Sequence, residues 1–512
     1  MKNPQMNKFA ITMLSCMAAW ATPSYAYDLK EAAQEAVLQN PEVLAKWHAY
    51  RETTENVGVA EGGYFPKLDL STGVKREHLV SPNTGAPDTD VHYTTTGTSL
   101  YLNQMLFDGF ATKSEVERLS YAQRVRYFEL LDSTEATALE VARAYEDVLR
   151  YRQLYAIAEN NYVQHRAVHE QIARRVKAGV GRLVDLEQAS GRLALAESNL
   201  LTESSNLHDV SARFQRLVGK VPPAEMKDIK LMKQDIPKTK TDAVYSGYKN
   251  NPTILAAQEN IVSAMAEARG TNAAYMPKLY FQARQDIGHN TNGVSGNNSL
   301  SSYGLLLNMN LYNGGADSAK KRQYAERVNV AKDLRDKACR DIRQAVTIGF
   351  NDLKKLAEQI EYLDQHQLAT EKARDAYRKQ FDIGQRTLLD LLDTENELFE
   401  ARRAYTNALH DQSYAYARTQ AGMGKLLEVM GLQHLETEGL AKQDETADFD
   451  PNAVCPADGD LAVTIDKDKV FSDALKANPE LLPDTVAPAP AAQPIPAPPA
   501  KKPAPKSAPK KH

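Results

Sequence analysis

The chain of 512 residues carries two copies of one pattern of motifs, and this repetition limits what it can fold into. Asn40-Pro41 recurs as Asn251-Pro252, 211 positions later, and Leu106-Phe107-Asp108-Gly109 recurs as Leu311-Tyr312-Asn313-Gly314, 205 positions later. The change of offset indicates that the second copy lost six residues, which a surface loop would tolerate. We therefore predict a tandem duplication, with two structural repeats in each chain.

Each copy contains two short segments in which apolar and polar residues alternate, the pattern of strands with one apolar face. In the second copy Leu279, Phe281 and Ala283 alternate with more polar residues, and Leu305 and Leu307 begin another such run after an Asn-rich loop. At about 9–11 residues each, the segments have the length of a tilted membrane-spanning strand. The sequence thus predicts four such strands per chain.

Helical periodicity occupies most of the remaining chain. No Pro interrupts residues 110–177 or 315–383, so each predicts one helix roughly 100 Å long. After a Gly-containing break, shorter helices are predicted to return along 183–219 and 387–431. A helical stretch at 28–62, or at 241–274 in the second copy, precedes the strands, so two short helices stacked end to end would match one long helix.

Strand number also bears on assembly. A membrane sheet of four strands would leave its edges unpaired in lipid, where backbone groups need partners. Bacterial barrels begin at eight strands, so several chains must contribute, and three chains would supply twelve strands. A polar lumen in such an assembly implies conduction rather than chemistry.

Composition excludes several classes of function. The formal net charge is -4, and no strongly basic domain suggests a nucleic-acid partner. No run of about 18 apolar residues predicts a membrane-spanning helix. Phosphate loops, Gly-x-Ser-x-Gly and paired-Cys motifs are lacking, so we expect no enzyme, cofactor or metal. His165 and His169 lie one helical turn apart, but without a third ligand we interpret them as part of a solvated helix face.

Both termini differ from the repeated region. Lys2 and Lys8 precede an apolar stretch and a small-residue cleavage site, which predicts a secretory signal peptide at residues 1–26. Lipoprotein processing at Cys16 is the alternative. Residues 432–482 are acidic and mixed, and 483–512 form a Pro/Ala/Lys-rich tail that we expect to be disordered.

The repeated motifs resemble those of the TolC family of outer-membrane export channels over residues 27–432. The motifs that carry this resemblance are Asn40-Pro41, Pro66-Lys67-Leu68, Leu106-Phe107-Asp108-Gly109 and Gly384-Gln385-Arg386-Thr387-Leu388-Leu389-Asp390-Leu391-Leu392-Asp393. The resemblance implies an α+β membrane protein, a trimeric channel-tunnel in which four strands per chain share a 12-stranded outer-membrane barrel above a long periplasmic α-helical barrel. The implied organisation is a first repeat at 27–219, an equatorial linker at 220–240, a second repeat at 241–431 and a periplasmic equatorial segment at 432–482.

The resemblance also implies partners and a location. The trimer would lie in outer-membrane lipid and extend into the periplasm, where a periplasmic adaptor protein joins it to an inner-membrane ABC or proton-driven pump. The runs Cys339-Arg340-Asp341-Ile342-Arg343 and Cys455-Pro456 look most like the branch that serves type I protein secretion. A multidrug efflux duct is the alternative within this interpretation, and a non-conducting periplasmic coiled-coil scaffold is the alternative outside it.

Asp390 and Asp393 match two family aspartates that face the axis at the periplasmic mouth. In a trimer they would form two rings of carboxylates, which favour cations and repel one another, so they would act as a periplasmic gate. The alternative for Asp390 is a capping box that begins at Thr387, in which an acid near a helix start is simply stabilising.

Arg386 and Asp185 match the family's latch between hairpins. Two departures weaken this match, because Phe381 replaces the usual aromatic hydroxyl and Val184 stands where a Thr could bond. The alternative is a pair of solvated loop charges with little effect on stability.

Residues 179–183 and 384–388 are predicted to form exposed hairpin tips, where the family docks its adaptor. The residues assigned to this docking are Gly179, Gly181, Leu183, Gly384, Thr387 and Leu388.

Cys339 and Cys455 are the only cysteines left after signal cleavage, and we predict a disulfide between them because the periplasm favours pairing. The alternative is two unpaired thiols.

Overall fold

The computed structural model describes residues 27–81, 89–291, 294–437, 450–456, 459 and 465–478. The predicted signal peptide and the Pro/Ala/Lys-rich tail lie outside these residues. The chain divides into two units at Gly459. The second unit contains a helix, α11 (Lys467–Ala477), whose preceding Asp466 accepts a hydrogen bond from the backbone of Lys469.

Short helices precede each pair of strands, and Asn-Pro divides them. The first copy has α1 (Leu29–Gln39) and α2 (Pro41–Glu61), and the second has α5 (Lys240–Asn250) and α6 (Pro252–Gly270). Asn40 caps α2 by accepting a hydrogen bond from the backbone N–H of Glu42 at 2.9 Å. Proline at the first helical position and an extended residue before it begin a new helix. The helical stretches predicted at 28–62 and 241–274 are therefore each divided into two helices at Asn-Pro.

Two long helical hairpins form the largest part of the chain. The first consists of α3 (Ala111–Lys177) and α4 (Leu183–Val218), and the second of α7 (Ala316–Asp382) and α8 (Leu388–Gly422). The long helices α3 and α7 each contain 67 residues, as the uninterrupted periodicity predicts.

The second returning helix is shorter than predicted. It ends at Gly422, and a separate short helix, α9 (Leu426–Met430), follows. Gly424 between them has a φ of +68°, and a Cβ at this position would approach Asn250 O to 2.6 Å. A residue with a side chain would not fit, so the break depends on this glycine.

The strands form one antiparallel sheet in the order β1-β2-β3-β4, which confirms the four predicted strands. Their bounds are Lys67–Ser81 for β1, Thr89–Phe107 for β2, Lys278–His289 for β3 and Asn297–Asn308 for β4. At 15, 19, 12 and 12 residues they are longer than predicted. The expected strand around residues 305–311 begins and ends earlier, because β4 pairs with β3 from Asn297 to Asn308.

Within one chain the sheet is open. Strand β2 pairs with β3 and so joins the two copies, whereas β1 and β4 each have a single neighbour among the described strands. The outer strand β4 is exposed along its whole length, with Tyr303 84% exposed. Both edges present unpaired backbone groups that would need a partner in a membrane.

The main apolar core lies where the short helices meet along α3. Ala33 of α1, Tyr145 of α3, Phe214 of α4 and Leu426 of α9 are fully buried there. Tyr145 donates its hydroxyl hydrogen bond to the backbone carbonyls of Tyr27 and Lys227, at 2.7 and 2.9 Å. The helices α1, α2 and α4 contact α3, and α5, α6 and α8 contact α7, as expected of short helices that accompany a long one; α6 also packs against α3 and so joins the two repeats.

No helix among the described residues is long and apolar enough to cross a membrane.

Candidate functional site

The two helical hairpins reverse direction through the same backbone motif. In the first tip, the N–H of Gly179 donates to Val176 O at 2.9 Å. The N–H of Val180 donates to Arg175 O at 3.0 Å, which completes a Schellman motif. The second tip closes with the equivalent pair of bonds around Gly384. Both glycines have a φ of +76°, a conformation that L side chains rarely adopt, so the local sequence determines where each hairpin turns.

The tips expose apolar side chains. Val180, Leu183 and Val184 project from the first tip and Ile383 from the second, with Leu183 63% exposed. Gly181 is close to its own hairpin, since a Cβ there would lie 2.8 Å from the backbone nitrogen of Val176. The predicted docking surface thus has an apolar edge on a tightly packed turn.

Leu388 differs from the prediction that it lies on the exposed tip. It is only 4% exposed and belongs to an apolar cluster that joins the two hairpins. Thr387 explains this placement, because its side chain accepts a hydrogen bond from the backbone N–H of Asp390 and caps α8, so that Leu388 is the first residue of the helix. Residues 388, 391 and 392 then share one inward face, which removes Leu388 from the set available to a partner.

Asp390 and Asp393 lie one turn apart at the start of α8, and both remain partly exposed. The Asp390 carboxylate is 3.6 Å from the guanidinium of Arg386. Asp393 forms a charge-assisted hydrogen bond with Arg192 of α4 and so connects the two hairpins of one chain. Each predicted gate residue therefore has one arginine partner and retains access to solvent. Only the Thr387 half of the capping box is present.

Arg386 and Asp185 bind within their own hairpins in the single chain. Arg386 donates to Gln380 Oε1 at 2.9 Å and lies over the ring of Tyr377, 4.2 Å from its centroid. Asp185 accepts two hydrogen bonds from Arg182, at 3.0 and 3.1 Å. A direct latch between Arg386 and Asp185 stays a prediction, and it would require an exchange of these local partners.

Phe381 occupies the position of the expected aromatic hydroxyl and cannot donate a hydrogen bond. Its ring is buried in the cluster with Leu388, and the guanidinium of Arg175 lies 5.4 Å from the ring centroid. The aromatic ring that contacts Arg386 belongs instead to Tyr377, one turn earlier on α7. The family motif did not mark this residue.

Buried ion pairs above the tips were also missed from the sequence. Glu395 on α8 is buried between Arg374 and Arg378 of α7, at 3.5 and 3.6 Å. Burial raises the pKa of the Glu395 carboxyl, and the two arginines oppose that shift. Glu203 of α4 is buried beside Arg403 of α8 at 2.7 Å. Charged residues on otherwise apolar helix faces were the available signal, but periodicity does not identify the partner.

His165 is not on a solvated face. It is 1% exposed, between helices close to the apolar cluster of the tips, and burial lowers the pKa of its imidazole. His169 contacts Ser190 Oγ at 3.2 Å. Within the described part of the chain these two histidines belong to no group of three possible metal ligands.

Cys339 of α7 and Cys455 are joined by a disulfide, with Cα atoms 5.4 Å apart. Cys455 directly follows a short helix, α10 (Pro451–Val454), and both cysteines are buried against α5. The hydroxyl of Tyr248 donates to the carbonyl of Pro456 at 3.0 Å. The segment around Cys455 is therefore held to the second repeat by covalent, apolar and polar contacts.

Comparison with known proteins gives consistent results. A family model described as "Outer membrane efflux protein" matches residues 32–220 and 244–425. Outer membrane efflux protein BepC of Brucella suis is 28% identical over 83% of this chain and 91% of its own length. Proteases secretion protein PrtF of Dickeya chrysanthemi is 22% identical over 83% of this chain and 94% of its own. The structure of the outer-membrane channel OprN has a TM-score of 0.68 at 16% identity, covering 78% of this chain and 90% of OprN.

Proposed function

Because the chain belongs to the outer membrane efflux protein family, we propose that it forms the trimeric outer-membrane duct of a tripartite export machine that secretes a protein by the type I route. Its location follows from the family: it is an outer-membrane protein with a periplasmic tunnel. As a duct it conducts cargo and performs no catalysis.

The open sheet is the observation that carries this proposal. One chain supplies four antiparallel strands and two unpaired edges, β1 and β4. Joining the β1 edge of one chain to the β4 edge of the next satisfies these edges, and three copies close a ring of twelve strands. The same sheet argues against a non-conducting coiled-coil scaffold, which would have no use for exposed membrane-length strands.

The proposed periplasmic gate lies at the start of α8. Asp390 and Asp393 of three chains would place six carboxylates at the periplasmic mouth, an arrangement that attracts cations and is repulsive within itself. Arg386 and Arg192 each offset one of these charges in the single chain. We assign these arginines to holding the mouth narrow, and Arg386 and Asp185 to a latch between the hairpins.

The hairpin tips suit an adaptor. Leu183 and its exposed apolar neighbours offer a surface that a helical partner would cover, and Gly179, Gly181 and Gly384 keep the turns compact. Thr387 fixes the start of α8. An inner-membrane pump, of the ABC or the proton-driven class, then supplies the energy through that adaptor.

The exported cargo separates two forms of the proposal. PrtF is named for protease secretion and BepC for efflux, so relatives with both kinds of name match most of the chain. The sequence around Cys339 and Cys455 favours the secretion branch, and a small-molecule efflux duct is the second candidate. Deleting the gene should remove a protein from the medium; increased sensitivity to toxic compounds with unchanged secretion would favour efflux.

Planar-bilayer recording tests the duct and its gate together. The wild-type protein should give cation-selective channels that multivalent cations block, and Asp390→Ala with Asp393→Ala should weaken both properties. Asp411→Ala is a matched control. Asp411 lies farther along α8, is exposed, and pairs with Arg150 of α3 as the gate aspartates pair with arginines. Absence of channels would refute the duct, and equal selectivity and block in the double variant would refute the gate.

A further inference from the structure

The hairpin of β1 and β2 extends beyond the other two strands. Strand β2 pairs with β3 only from Thr96 to Phe107, whereas its pairing with β1 continues outward to Ser81 and Thr89. At about 3.4 Å per residue, the part without β3 is roughly 24 Å long. A membrane-spanning strand needs only about 9–11 residues, so this two-stranded ribbon lies at the outer end of the barrel.

Three possible metal ligands meet on this ribbon. His78 and His92 are directly opposite each other in the β1–β2 register, and their rings stack with centroids 4.0 Å apart. Asp90 lies two residues from His92, on the same face of β2, and its Oδ1 is 2.6 Å from His78 Nε2. The three ligand atoms lie within 4.8 Å of one another.

We propose that His78, His92 and Asp90 bind one divalent transition-metal ion of the zinc or copper class at the outer rim of the duct. Two imidazoles and a carboxylate form a ligand set that suits such ions. Ligands about 2.0–2.2 Å from a tetrahedral ion are roughly 3.4 Å apart, so the His78–Asp90 contact has to open, and the two stacked rings have to turn until one nitrogen of each points at the ion. All three side chains are exposed, which leaves room for these rotations. Water would complete the fourth position.

The bound ion would cross-link the two strands. His78 belongs to β1, whereas Asp90 and His92 belong to β2, so the site exists only while this register holds. The site lies within one chain and is independent of trimer formation and of the cargo. The competing explanation is an ordinary surface ion pair between His78 and Asp90 beside a stacked histidine.

Calorimetric titration of the purified, metal-stripped full chain in detergent tests the site, with zinc chloride as the probe and copper and nickel chlorides for comparison. We expect one zinc ion per chain at this site, and at least about a tenfold loss of affinity in His78→Ala and in His92→Ala. His289→Ala is the matched control, because His289 ends β3 beside Asn297 and outside the cluster. Its zinc affinity should equal that of the wild type.

A second measurement separates a ligand from a structural residue. Cobalt in a four-coordinate site with nitrogen and oxygen ligands has a visible absorption band, which should be present in the wild type and in His289→Ala and absent in the double variant of His78 and His92. Circular dichroism of the same samples checks folding. Zinc binding that persists unchanged in the double variant, or a wild type that binds no zinc, would overturn the proposal and leave an ordinary surface pair.

Discussion

Removing the disulfide by Cys455→Ala should loosen the C-terminal segment from the second hairpin. The bond closes a loop with a sequence separation of 116 residues. The loop-closure relation gives a stabilisation of about 4.8 kcal/mol for this length at 25 °C, and native disulfides commonly contribute about 2–5 kcal/mol. Because both cysteines are buried among apolar side chains, water cannot replace the lost contacts, and we expect a loss of about 2–5 kcal/mol in the free energy of unfolding.

Guanidinium unfolding of the oxidised protein in detergent, followed by circular dichroism, measures this difference. Cys339→Ala should lose as much as Cys455→Ala, and the double variant should lose little more, because the second substitution removes no further bond. Reducing the wild type should bring it to the same level. Equal stability of wild type and Cys455→Ala, or additive losses in the double variant, would refute the predicted bond and favour two free thiols.

Three further predictions concern charge and the tips. Burial raises the pKa of the Glu135 carboxyl from 4.5 to about 7, so the stabilisation that its protonated form provides is lost as pH rises from 4.5 through 7. Glu135→Gln stays neutral, and its free energy of unfolding should exceed that of the wild type by up to about 3 kcal/mol at pH 8 but by little at pH 4.5. Equal unfolding differences at both pH values would contradict this. Val180→Glu with Leu183→Glu, at two exposed positions of the first tip, should abolish export while trimers still form on native gels, and wild-type export would exclude this surface as the docking site. Arg192→Ala frees Asp393 and should raise closed-state conductance in bilayers, whereas an unchanged current would remove Arg192 from the gate.

The sequence predicted the elements whose signals are local. The bounds of α3 and α7 agree with the predicted 110–177 and 315–383 to within one residue at every end, because uninterrupted periodicity makes a helix and a glycine with positive φ ends it. Gly384 was assigned to a turn for the same reason. Period-two alternation likewise predicted four strands, because successive side chains of a strand point to opposite faces of the sheet and only one face is apolar.

Apart from Cys339 and Cys455, whose pairing was predicted by counting cysteines, only the tertiary structure decided which residues from distant parts of the chain meet. Leu388 and His165 are both buried because one hairpin packs on the other, and the periodicity of a single helix does not predict this contact. Arg192 and Asp393 are 201 positions apart and pair across that interface. The same holds for His78 and His92, which face each other only because β1 and β2 pair in one register out of several that alternation allows. Local conformation depends on neighbouring residues, whereas packing and register depend on the free energy of burying whole surfaces together. The partners of these residues could therefore be read only from the folded chain.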